Sequence, residues 1–169
     1  MGGMPDWALA IFYWLHMLAT IFAVGGLATL SLLVLPAARS ILDLVTQAAF
    51  LEKVLRRLEM LGWFCLAALV VTGMFQLSAN PNYGGYFSIS NGWAQAILVK
   101  HLLVGAMVVV SMTQTWSVLP EIRRTLLKAQ KTGDEGDLAT LRKRETWLVR
   151  LNMALLVLIL LMTALARVS

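Results

Sequence analysis

Mostly apolar positions, with no Asp, Glu, Lys or Arg among them, run from Trp7 to Ala38. That is longer than the core of a cleavable leader and long enough to cross a bilayer. Three further apolar runs follow, at about 58–77, 93–119 and 147–167. Each approaches or exceeds the roughly 20 residues that a helix needs to cross about 30 Å of hydrocarbon. Helices are required there, because no water is present to satisfy backbone N–H and C=O groups. The pattern predicts four helices, at about 7–35, 58–77, 93–119 and 147–167, the first stopped by Pro36. The expected fold is all-α: a single membrane domain over 1–169, an up-down-up-down four-helix bundle.

Composition agrees with the pattern. Charged residues make up 14% of the chain and hydrophobic ones 59%, with mean hydropathy +0.76. A soluble domain carries about 25% charged residues, so the expected environment is the lipid bilayer. Cys65 is the single cysteine, which excludes an intramolecular disulfide and a paired-cysteine haem attachment. The net charge of +5 calls for a partner or a side. Twelve of the fourteen Lys and Arg residues fall in the two connections that follow the first and third apolar runs, or, for Arg150, just inside the fourth run. The connection 78–92 carries no charge at all. The positive-inside rule puts both basic connections in the cytoplasm and both termini outside, in the inner membrane. Topology and anionic lipid then account for the basic residues, and no nucleic-acid partner is expected. The outer connection, rich in turn residues and aromatics, serves either as an interfacial loop or as a lid over a buried site. The stretch 128–140 is a polar turn between amphipathic extensions of the third and fourth helices.

Candidate chemistry rests first on His16 and His101, the only two histidines. They lie nine and eight residues after Trp7 and Trp93, which open the first and third runs. At 1.5 Å per residue each imidazole sits about 12–14 Å below an interfacial tryptophan. Those two helices run in the same direction, so the rings share one layer of the outer half. First and third helices of such a bundle are diagonal and can bracket a core cofactor. An ionisable group buried in lipid is a functional-site candidate, and two at one level suggest a shared ligand. On the helical wheel Ala19 and Ala23 flank His16, and Gly105 flanks His101. These small residues leave room for a flat group such as a porphyrin, or they mark close helix contacts.

Lys100 is the third anomaly, because a lysine within a span costs about 2.5–3.5 kcal/mol on insertion scales. Its ammonium either snorkels to headgroups or meets a carboxylate such as a haem propionate. Gln76 lies near the same layer. Ser111, Thr113, Gln114 and Thr115 on the third helix and Asn152 on the fourth are expected to make interhelical hydrogen bonds. Nine methionines invite a copper reading, but Met is an ordinary residue in lipid and no close Met pair lies within the spans.

The segment Trp14-Leu15-His16-Met17-Leu18-Ala19, followed by Val24-Gly25-Gly26 and closing at Leu35-Pro36, resembles the first helix of the copper-resistance D (CopD) membrane-domain family. Leu98-Val99-Lys100-His101-Leu102-Leu103 is similar to that family's lysine-containing helix. A more distant likeness extends to HemJ-type haem membrane proteins. The first resemblance implies copper handling, the second haem b bound by a helix-one histidine.

The residues favour a haem b protein in which His16 and His101 supply both axial nitrogens and Lys100 meets a propionate. Two imidazoles leave no open iron position, which favours electron transfer over oxygen chemistry. The expected role is to pass electrons to a partner at the outer face, as a homo-oligomer or a subunit of a larger complex. No catalytic residue is singled out. The alternative is a copper-binding or copper-transporting membrane protein using the same two histidines as metal ligands. A second alternative is a structural subunit that binds lipid or pigment.

Overall fold

A computed structural model describes residues 5–80, 83, 85, 89, 91–132 and 136–168, and every regular element among them is helical. Four helices are long and apolar enough to cross a membrane: Asp6–Ile41, Leu44–Ser78, Gly92–Ala129 and Asp137–Val168. They carry the four expected spans and divide into six α-helical segments. These are α1 (Asp6–Thr29), α2 (Leu35–Ile41), α3 (Leu44–Ser78), α4 (Gly92–Thr113), α5 (Leu119–Thr132) and α6 (Gly136–Val168). A π-helical turn, Leu30–Val34, joins α1 to α2, and a second, Gln114–Val118, joins α4 to α5.

Pro36 does not stop the first helix, contrary to the expectation from sequence. The π turn closes with the Leu35 N–H on the Leu30 carbonyl, one residue further back than an α-helix reaches. Pro36 then falls in the opening positions of α2, where its missing N–H costs no hydrogen bond. The third span repeats the device. The Leu119 N–H bonds the Gln114 carbonyl, and Pro120 is the second residue of α5. The second helix also begins well before residue 58. Asp43 caps α3, its Oδ2 accepting from the Thr46 N–H at 3.0 Å. That bond holds the Asp43 carboxyl below the usual carboxylate range. Asn91 caps α4 likewise, its Oδ1 accepting from the Ala94 N–H at 2.8 Å.

α1 packs along α3, and α4 along α6, giving two antiparallel hairpins. Lighter contacts of α6 with α1 and α3, and of α3 with α5, join them into one bundle. The first and third spans share no packed interface and are diagonal. Close packing is concentrated at the end that carries the basic connections. There Val118, Ile122 and Leu126 bury against Leu138, Leu141 and Leu148. Leu30, Leu35, Leu51, Leu55 and Val149 form the layer beside them. The end that carries the termini is closed by a smaller cluster of Leu77, Trp93 and Ala94, with Tyr83 of the uncharged connection against it. Between these layers large apolar side chains such as Phe22, Phe64, Leu102 and Val109 stand exposed, the surface expected of helices solvated by lipid. Most of the uncharged connection 78–92 beyond residue 80 and the turn 133–135 lie outside the described residues, and with them the lid reading.

Candidate functional site

His16 is the best-defined polar centre within the spans. It faces α3, where Gly73 makes room for it: a Cβ at Gly73 would stand 3.4 Å from His16 Cε1. One residue earlier on α3, Thr72 is buried, and its Oγ1 lies 2.8 Å from His16 Nδ1. The same hydroxyl lies 2.6 Å from the Ala68 carbonyl oxygen. A carbonyl only accepts, so the single Thr72 proton goes to Ala68. Oγ1 therefore accepts from His16, which places the ring proton on Nδ1 and the lone pair on Nε2. An imidazole held in this way, one nitrogen bonded to protein and the other basic, is the form that ligates a metal.

The register of α1 on α3 is locked on the next turn. Gln76 Nε2 donates to the Phe12 carbonyl at 3.2 Å, and the Phe12 and Phe75 rings stack at 4.3 Å. Gln76 thus reaches the His16 layer, as its position suggests. Of the small residues expected beside His16, Ala19 is buried and Ala23 lines the central cavity described below.

The third span is placed differently. His101 is exposed, and its Nδ1 donates to the Ile97 carbonyl at 2.7 Å, so its lone pair also lies on Nε2. Gly105, one turn on, is exposed too, with nothing near the position of a Cβ. No contact joins His101 to His16. Lys100, beside it on the same helix, is half-buried. Each imidazole offers a basic Nε2, but nothing positions the pair across a common gap for haem.

A cavity of about 160 Å³ opens deeper in the bundle, toward the basic end, walled by all four spans. Cys65 and Met107 put two sulfur-bearing side chains on its wall, and Glu59 and Gln114 add polar ones. Asn152 of α6 also lines it, and its Nδ2 donates to Ser111 Oγ at 3.2 Å, the interhelical bond expected from sequence. Asn152 Oδ1, in a residue only 5% exposed, has no hydrogen-bond partner among the described residues. An unmet acceptor of this kind costs about 1–3 kcal/mol. Nothing in the residue order marks Cys65 and Met107, which lie on different helices, as neighbours of one cavity. The available signal for Thr72 was a hydroxyl followed by glycine in an otherwise apolar run.

A second polar group, at the basic end, ties α2, α3 and α6 together. Arg39 Nη2 donates to Thr146 Oγ1 at 2.7 Å, and Arg142 donates to the Oε1 of fully buried Gln47. Glu145, 2% exposed, sits within the electrostatic reach of both arginines.

The sequence profile of the copper resistance protein D family matches residues 52–166, about two thirds of the chain. The chain belongs to the copper resistance protein D family. No curated protein and no solved structure matches it. The matched stretch includes Cys65, Thr72, Gly73, Lys100, His101, Met107 and Asn152, whereas His16 and the first-helix resemblance lie outside it. Membership supports copper, the alternative of the sequence reading, and lends no support to haem b or electron transport.

Proposed function

We propose that this member of the copper resistance protein D family binds copper as cargo within the bilayer, with His16 as its nitrogen donor. The observation that carries the reading is the Thr72 hydroxyl at 2.8 Å from His16 Nδ1, which fixes the ring with Nε2 as the free base. Copper accepts imidazole nitrogen readily. Gly73 gives the ring its place against α3, and the Gln76 bond to Phe12 holds the two helices in register around it. In the orientation set by the basic connections, His16 lies in the outer half of an inner-membrane protein and meets copper arriving from outside. His101, exposed at the corresponding depth, offers a second nitrogen toward the surface of the bundle.

A charged Lys100 on the third span would oppose a cation at His16 and limit how tightly the metal is held there. Weak holding suits a site that must release its cargo. The test is copper accumulation in cells expressing wild type or His16→Ala at matched membrane levels. His16→Ala is expected to abolish the change in cellular copper that wild type causes. Equal accumulation in the two strains would overturn the reading. An absorption spectrum of the purified wild type tests haem directly: a Soret band with low-spin α and β bands would restore the haem reading.

A further inference from the structure

We propose that the central cavity is a second copper station, a site for Cu(I) formed by Cys65, Met107 and the amide oxygen of Asn152. The proposal rests on the copper reading above and adds a donor set of different chemistry. Cys65 and Met107, from α3 and α4, line the same cavity, and thiolate and thioether are the soft donors that select Cu(I). The volume of about 160 Å³ exceeds the roughly 30 Å³ share of one water, so an ion fits with water beside it.

A buried cysteine by itself is an ordinary small apolar residue. The independent observation is Asn152 Oδ1, an acceptor buried on the same wall with no partner among the described residues. Buried acceptors are paired in nearly all native structures, by protein, water or an ion. The Asn152 amide is oriented by its donation to Ser111 Oγ, which leaves the oxygen as the unmet atom. Both π turns border the cavity as well, through Leu30 and Gln114, and such turns recur at functional sites.

The cavity is placed for transfer. Cys65 lies seven residues from Thr72 on α3, about 10 Å along the helix axis, on the basic-end side of His16. Beyond it, Glu59, Trp63 and Thr115 are shared with a more open groove that Met60 and Met112 line. Sulfur side chains therefore continue from the cavity toward the basic end. As the Cu–S bond forms, the Cys65 thiol gives up its proton to water in the cavity, and Glu59, about 9 Å away along α3 on the same wall, is the carboxylate to which that water can pass it. Copper stays Cu(I) throughout, so no electron is needed.

Silver(I), which shares the soft d10 chemistry without redox complications, is the probe. Purified full-length protein is titrated with Ag(I), and bound metal and the alkylation of Cys65 by a maleimide are both measured. Wild type is expected to bind two equivalents and to have Cys65 protected by the metal. His16→Ala is expected to lose one equivalent and keep the protection. Cys65→Ser is expected to lose the other, and the volume-conserving Met107→Leu to weaken it by tenfold or more. If Cys65→Ser does not fold, Met107→Leu and Asn152→Leu carry the same test. One equivalent in wild type, lost in His16→Ala and untouched by the cavity variants, would overturn the second station and leave the copper reading standing. No bound silver in wild type would overturn both. One equivalent lost with Cys65 and indifferent to His16 would support the cavity and refute His16 as the donor.

Discussion

Replacing Thr72 by Val tests whether the hydroxyl sets the chemistry of His16. Val keeps the β-branched shape in α3 and removes the one atom that accepts from Nδ1 at 2.8 Å. The Ala68 carbonyl loses only its extra bond from Oγ1, because its bond within the helix survives. His16 Nδ1–H, half-buried against α3, is left without an acceptor, and the ring is free to turn or to change tautomer. In the free protein the lost bond is worth about 0.5–1.5 kcal/mol. With metal on Nε2 the ring carries more positive charge and Nδ1–H is a stronger donor, so the loss is greater in the bound state. The difference should match other second-layer partners of metal-binding histidines, a 10–100-fold loss of affinity, or about 1.4–2.7 kcal/mol. The assay is Ag(I) titration against a competing chelator, with helicity and elution volume as checks on folding. Thr72→Ser, which keeps the oxygen, should stay close to wild type. If Thr72→Val bound silver within twofold of wild type while His16→Ala lost it, the hydroxyl would not set the imidazole and the tautomer argument would fall.

Further outcomes follow from the same geometry. Gly73→Ala should leave silver binding unchanged, since the new Cβ meets the imidazole edge at ordinary contact distance, whereas Gly73→Leu should displace the ring and abolish His16-dependent binding in the same titration. Lys100→Met should tighten silver at His16 several-fold by removing a like charge; unchanged or weaker binding would refute a repulsive role for the ammonium. Glu145→Leu should leave the thermal midpoint unchanged or raise it, because the carboxyl is buried with its Oε1 unpaired among the described residues while Arg39 and Arg142 keep their bonds to Thr146 and Gln47; a clear fall by differential scanning fluorimetry would show that the arginines need the carboxylate. Ile89→Cys in a Cys65→Ser background should react with an impermeant thiol reagent applied from outside the cell, and labelling only from the cytoplasmic side would invert the topology.

The four spans were legible because an apolar run of 20 residues has few other uses, and the diagonal placing of the first and third helices followed from their order. The helix ends were not. Pro36 has the chemistry of a terminator, and a π turn removes the conflict by moving the proline to a position that needs no donor. The basic connections are likewise charged yet helical, because α5 and the first turns of α6 bury an apolar face against α3. His16 was legible as an ionisable residue in lipid. Its partners were not, since Thr72 and Gly73 lie more than fifty residues away and nothing local marks which face of α3 meets α1. His101 has the same local signature as His16 and a different surrounding, because depth along a helix follows from residue count whereas azimuth depends on which neighbour packs there.

The two π turns have a mechanical consequence. Each adds one residue to the helical path at the level of the cavity, and one residue turns an α-helix by about 100°. Both occur in the diagonal rods, while α3 and α6 pass the same level as unbroken α-helix. The molecule thus has two straight rails and two jointed rods, with the joints facing the central hollow.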